Sequence, residues 1–285
     1  MRSERIRLIN LAFIFLVIAL QLIGTVSHAR AADYQGAIKI GGTGGAYGVM
    51  AQVAAGFQKK YPQVRFHFPP SLGSSGGIKA VLSGALDLGL ISRPLKAEEI
   101  RQGAVAVEYG RTPLMLVTSN QGPDLNFTLK EIASIYLGEI KNYPDGAPIR
   151  LILRPRVESD TIFLLHLSPE IAAAVRQAHV REGMITAITD KDNADTLEKI
   201  RGAMSWMTLA QFISENREVA PLALDGVRPG LETLAAGAYP YSKPFSVVAK
   251  ANPTPLVKAF IEFLTSGESR EILLKNGILA DGKTP

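Results

Sequence analysis

Between Ala37 and Ser92 the chain changes period four times. Ala37–Gly42 reads as a strand that ends in a glycine cluster. Tyr47–Lys60 carries Val49, Val53 and Phe57 at helical spacing, and Gln63–Phe68 sets Val64, Phe66 and Phe68 on one face of a strand. Gly76–Gly84 reads as a helix and Leu86–Ser92 as a short strand. This βαβαβ order predicts an α/β fold, with a mostly parallel sheet carrying helices on its faces.

The alternation continues. Pro113–Thr118 reads as a strand. Thr128 and Glu131 form a capping-box pattern for a helix that Gly138 stops. Ile149–Arg154 is a strand, Ser168-Pro169 opens a helix with proline at the favoured first position, and Asn193–Ile200 is a short helix. Ala203–Met207 is a strand, followed by a helix over Thr208–Ser214 with a second capping-box pattern, Thr208 and Gln211. Pro221–Leu224 and Ser246–Lys250 read as strands. Two final helices, Pro255–Thr265 and Glu268–Lys275, each precede a glycine, Gly267 and Gly277.

The first 31 residues stand outside this pattern. Arg2, Arg5 and Arg7 precede an apolar run from Leu8 to Gly24, and Ala29-Arg30-Ala31 matches an A-x-A cleavage site. That order predicts a secretory signal peptide, cleaved before Ala32 or Asp33. An uncleaved anchor is the rival, since spanning a bilayer takes ~20 apolar residues. Without the segment, 27 basic and 25 acidic residues remain of the 31 and 26 in the whole chain. So small an excess, with no basic stripe, argues against a nucleic-acid partner. The chain has no cysteine, which excludes disulfides, structural thiolate metal sites and a lipid anchor on cysteine. No histidine has metal-ligand spacing, and no cofactor is expected.

Three segments carry chemistry. Gly41-Gly42-Thr43-Gly44-Gly45 lies between strand and helix, where free amides attract anions. Tyr47 breaks a dinucleotide fingerprint, and no Gly-Lys-Ser/Thr follows to make a phosphate-cradling nucleotide loop. Gly73-Ser74-Ser75-Gly76-Gly77 offers hydroxyls and helix-start amides, a neutral oxyanion cradle. It also spells G-x-S-x-G, the nucleophile elbow of serine hydrolases. Pro69, Pro70 and Ser71 separate it from the preceding strand, however, and His166 and His179 lie in helix-like sequence, so the hydrolase reading is set below binding. Finally, Arg154-Pro155-Arg156-Val157-Glu158-Ser159-Asp160-Thr161 supplies forked cationic donors and hydroxyls.

Taken in order, these segments resemble the phosphate-binding proteins of bacterial ABC phosphate transporters. The resemblance rests on Leu72–Lys79 (LGSSGGIK), Asp87–Leu95 (DLGLISRPL), Ile135–Tyr143 (IYLGEIKNY), Arg154–Thr161, and Ala238–Lys243 followed by Phe260–Gly267. It implies a type II periplasmic-binding fold: two α/β lobes joined by a two-strand hinge near 113–118 and 241–250. Lobe 1 would be 33–116 plus 241–285, and lobe 2 would be 117–240. It implies ligand contacts from Thr43, Gly44 and Gly45, from Ser74, Ser75 and Gly76, from Ser92 and Arg93, and from Arg154 or Arg156 with Glu158, Ser159, Asp160 and Thr161. Well-known phosphate binders place an aspartate where Ser92 aligns, and Gly-Ser-Gly-Thr where this chain has Glu158-Ser159-Asp160-Thr161. Pro155 falls where the family arginine is expected.

The expectation is an exported, monomeric, non-enzymatic periplasmic binding protein. It would capture a small oxyanion, phosphate first, for the membrane subunits of an ABC transporter. Sulfate, molybdate, a small organic anion with a cationic group, or a sensor or adhesion module that kept the fold are the alternatives. One of Glu158 and Asp160 is expected to replace the proton acceptor missing at Ser92.

Overall fold

The computed structural model describes residues 34–120 and 125–280. The signal-peptide expectation falls on residues outside that range. In chain order the strands are β1 (Gly36–Gly42), β2 (Val64–His67), β3 (Leu88–Ile91), β4 (Ala104–Thr118), β5 (Asn126–Phe127), β6 (Arg150–Leu153), β7 (Ile185–Thr186), β8 (Ala203–Thr208), β9 (Ala220–Pro221), β10 (Ala223–Leu224) and β11 (Ser242–Lys250). The α-helices are α1 (Tyr47–Lys60), α2 (Gly73–Ser83), α3 (Ala97–Arg101), α4 (Leu129–Leu137), α5 (Ser159–Leu165), α6 (Pro169–Ala178), α7 (Asp190–Lys199), α8 (Leu209–Ser214), α9 (Leu231–Ala235), α10 (Pro255–Leu264) and α11 (Gly267–Lys275). None of the described helices is long and apolar enough to cross a membrane.

A mixed sheet of order β2-β1-β3-β11-β4-β8-β6-β7 runs through the molecule, with β9 also on β4. β1 pairs in parallel with β2 and β3, as the βαβαβ reading requires. The long strand β4 changes partner along its length. Ala104 to Pro113 pair antiparallel with β11, and Leu114 to Thr118 pair with β8. The switch is clamped by Leu114 N–H donating to Tyr241 O (2.9 Å) and Tyr239 O–H donating to Leu114 O (2.9 Å).

The apolar cores follow this division. Ile78, Val81, Leu86, Ile91, Ala104 and Val248 pack together on one side of the switch, and Phe57 meets Phe260 and Phe263 edge-on. Beyond the switch, Trp206 packs with Leu114, Tyr136, Leu164 and Val175, and Met207 with Ile152, Leu197 and Val219. Trp206 is therefore core, as burying a large aromatic favours.

Local signals explain most boundaries. Thr128 Oγ1 accepts from Glu131 N–H while the Glu131 carboxylate accepts from Thr128 N–H, closing the expected capping box, and Gly138 ends α4 at φ 79°. Thr208 does cap α8, but Gln211 does not reach back to it; its amide donates instead to Asp190 O and to Glu215. Gly267 does not close α10. Thr265 caps that helix and Gly267 opens α11 behind Ser266. Three short helices, α3, α5 and α9, went unread in sequence, and α2 begins at Gly73, so the Gly-Ser-Ser-Gly-Gly run forms its first turn.

Candidate functional site

The strands that feed the site end in a cleft between the two parts of the sheet. From the first part come the glycine loop after β1, the start of α2 and the loop after β3. From the second come the segment after β6, the start of α5 and the start of α7. β11 adds one side chain from the strand that runs beside the switch.

Among the described residues, Thr43, Ser74, Ser92, Arg154, Asp160, Asp190 and Lys243 are all buried, each no more than 8% exposed. Buried polar groups require partners, and these partner one another across the cleft. Ser92 N–H donates to Ser74 Oγ (3.1 Å), and Ser92 Oγ shares a 3.0 Å hydrogen bond with Ser159 Oγ of the opposite side. Lys243 donates to Ser159 Oγ (2.7 Å) and pairs with Asp160. Arg154 meets Asp190 through Nη2 (3.2 Å) and lies 3.7 Å from Glu158. The second oxygen of Asp190 accepts from Gly45 N–H (2.9 Å) and from Thr43 O–H (3.2 Å). Thr161 donates its hydroxyl to Arg154 O (3.1 Å) and fixes the loop behind the guanidinium.

The electrostatics follow from burial and pairing. Burial alone would raise the Asp190 carboxyl, but Arg154, Lys243 and the hydrogen bonds from Gly45 and Thr43 outweigh it and hold it below the usual carboxylate range. Glu158 moves the other way. Burial and the neighbouring Asp190 charge raise it, and Arg154 only partly offsets them. Arg154 stays cationic and is stabilised further by Asp190, Asp160 and Glu158 against its own burial.

The expected ligand residues therefore separate. Thr43, Gly45, Ser74, Ser92, Arg154, Glu158, Ser159 and Asp160 converge, with Gly44 packed against the Asp190 side chain and Thr161 behind Arg154. Arg156 does not join them. It is exposed and donates to His179 O, so of the two open arginines it is Arg154 that enters the cluster. Ser75 is exposed and accepts from Arg93, which forms a two-pronged pair with Glu99 (2.9 and 2.7 Å). Ser75 has no histidine partner among the described residues, and Gly76 is half-buried against Leu72 rather than against the cluster. The outer group lines an open pocket of about 560 Å³ together with Lys79, Lys96 and Arg156, and Ser74, Glu158 and Ser159 of the cluster line the same pocket.

Two cluster members were missed in sequence, Asp190 and Lys243. Thr189 and Asp192 spell a capping box that makes Asp190 the first residue of α7, a signal present in the sequence; Lys243 ends the Ala238–Lys243 segment of the resemblance, which carries no ligand role for it. Among the described residues no group of acidic or histidine side chains is disposed to hold a metal ion.

A family model described as the PBP superfamily domain matches residues 26–268. The phosphate-binding protein PstS of Borreliella burgdorferi is 26% identical over 220 residues, covering 73% of this chain and 77% of the relative. PstS of Bacillus subtilis is 23% identical over 250 residues, covering 84% and 78%. A candidate phosphate ABC transporter substrate-binding protein from Clostridium perfringens, solved with bound phosphate, superposes with a TM-score of 0.74 at 25% identity, over 87% of this chain and 100% of that one.

Proposed function

Since the chain belongs to the PBP superfamily domain family, we propose that it is an exported binding protein that captures inorganic phosphate for an ABC transporter. One observation carries this reading. Hydroxyls, an amide and cations from both parts of the sheet meet in one buried cluster: Thr43, Gly45, Ser74 and Ser92 face Arg154 and Ser159, with Lys243 alongside. Donors so placed suit an anion that enters between two lobes and is shielded from water as they close, which strengthens each bond. The expected two-lobe division at 116 and 117 is supported by the change of partner along β4, which falls nearby, between Pro113 and Leu114. The hinge is then β4 together with the chain entering β11.

The acceptor for a phosphate proton is Glu158. Asp160 is committed to Lys243, whereas Glu158 is half-buried, lies against Gly73 across the cleft and has a raised proton affinity. Sulfate at neutral pH has no proton to offer such a carboxylate. The relatives are binding proteins, and the serine arrangement supports no catalysis: Ser75 is held by Arg93 and Ser74 by Ser92.

Isothermal titration with phosphate and with sulfate tests the reading. The expected result is one phosphate bound per chain and rejection of sulfate. A folded protein that gives no heat with phosphate overturns it.

A further inference from the structure

The donor set of the glycine loop is already engaged by a carboxylate of the chain itself. Asp190 presents one oxygen to Arg154 Nη2 and the other to Gly45 N–H and Thr43 O–H. Thr43 and Gly45 lie 147 and 145 residues from it in sequence and on the other side of the cleft. The contact is no accident of a mobile surface chain. Asp190 is 8% exposed, it is the first residue of α7, and that helix is fixed by the reciprocal Thr189–Asp192 cap and by Gln211, which donates to Asp190 O. Gly44 leaves the carboxylate room, since a methyl group there would stand 3.1 Å from its oxygen.

We infer that Asp190 is a tethered competitor, occupying the amide, hydroxyl and guanidinium that an incoming oxyanion needs, so that its displacement sets ligand affinity. This rests on the phosphate-capture reading above. The reasoning is one of charge and of valence. Every cation in the cluster has a carboxylate: Arg154 has Asp190 and Glu158, and Lys243 has Asp160; outside it, Arg93 has Glu99. A dianion added beside these acids meets net repulsion, whereas one that replaces Asp190 inherits its partners. A carboxylate also serves the donors incompletely. Arg154 Nε and Nη1 remain buried without a hydrogen-bond partner, and a buried donor left unpaired is costly. A tetrahedral oxyanion offers more acceptor atoms than the two of Asp190 and can exchange places with it at a gain. Because Asp190 joins the two sides of the cleft, the same contact holds the cleft closed in the absence of ligand.

The test compares the wild-type chain with Asp190→Ala and, should that variant not fold, Asp190→Asn. Inorganic phosphate is the probe. Two readouts are taken: phosphate affinity by calorimetry, and the radius of gyration by small-angle scattering in buffer free of phosphate and sulfate. The inference expects the variant to bind phosphate at least tenfold more tightly than wild type and to show a larger radius, returning to the wild-type value when phosphate is added. A folded variant that binds no tighter, or whose anion-free radius equals the wild-type one, overturns it. If neither protein binds phosphate, the capture reading fails, and the anion-free radius alone then decides for or against the tether.

Discussion

The hydroxyl oxygens of Ser92 and Ser159 lie 3.0 Å apart although they belong to opposite sides of the cleft. That separation is a direct hydrogen bond. An oxyanion oxygen bonded to both would hold them farther apart, so the two side chains must separate for a ligand to enter between them. Ser159 Oγ also accepts from Lys243 (2.7 Å) and Ser92 Oγ also lies 3.4 Å from Ser74 Oγ, so each hydroxyl keeps one partner on its own side when the pair separates and is expected to take a ligand oxygen as the other.

The serines of the α2 start should behave oppositely. Ser74→Ala removes a buried hydroxyl that meets Ser92 and should weaken phosphate binding by about 1–3 kcal/mol. Ser75→Ala touches only Arg93 on the outside and should leave affinity unchanged. Calorimetry on the two single variants separates them, and equal losses would contradict the placement.

Lys243 and Asp160 form a buried pair, 3% and 5% exposed, and neither has solvent to fall back on. Lys243→Met strands the Asp160 carboxylate and should cost about 3–5 kcal/mol of stability in denaturant titration. Combining it with Asp160→Leu removes the stranded charge and should restore much of the loss. A double variant no more stable than Lys243→Met would show that the pair is not the coupling.

The two displaced carboxyls predict opposite pH dependence. Glu158 is raised in the folded protein by burial and by Asp190, so its favourable contribution is complete below the unfolded value of about 4.3 and fades as pH rises through the raised value. Glu158→Gln cannot ionise, so its melting temperature relative to wild type should climb between pH 4 and pH 8. Asp190 is held low by Arg154 against its burial, so its contribution is present above about 3.9 and is lost as pH falls through the depressed value. Melting curves across that range check the Glu158 sign, and a flat Glu158→Gln difference would count against it; the Asp190 sign needs curves carried below about pH 3.9, where wild-type stability should fall. The same variant should bind sulfate more nearly as well as phosphate.

Gly48 sits inside α1, where glycine normally weakens a helix. It is nevertheless required, because α1 crosses α8 there and a methyl group would overlap Ser214 Oγ. Gly48→Ala should therefore destabilise the closed protein by about 1–3 kcal/mol rather than stabilise it. A rise in melting temperature would mean that the two helices part easily.

The segments with strong periodicity or complete caps could be read from sequence: α1 to the residue, α4 and α6 by their caps, β1 and β8 by their apolar runs. The first half of β4 was not legible, because Val105, Ala106 and Glu108 face outward and break any apolar alternation. β11 was read from Ser246, since Pro244 argues against a central strand; the chain accommodates it with an irregularity between Phe245 and Ser246. Lys243 lay within the hinge strand and the Ala238–Lys243 segment that the resemblance implied, but neither marked its side chain as facing the cleft. Arg154 and Arg156 are neighbours in sequence, and only the turn after β6 decides which one faces the cleft. Asp190 could not be placed at all, because its partners are long-range and its local sequence is that of a solvated helix start.

β4 runs unbroken from one side of the cleft to the other, hydrogen-bonded to β11 before Leu114 and to β8 after it. Neither side can slide along the strand without breaking a ladder, so translation between the lobes is blocked while bending and twisting about Pro113 and Leu114 stay available. Pro113 has no N–H to contribute, which leaves the ladder thinnest at that point. Opening and closing then reduce to a change of angle. On the proposed two-lobe reading, one angle then sets the spacing of both the Ser92–Ser159 and the Asp190–Gly45 pairs across the cleft.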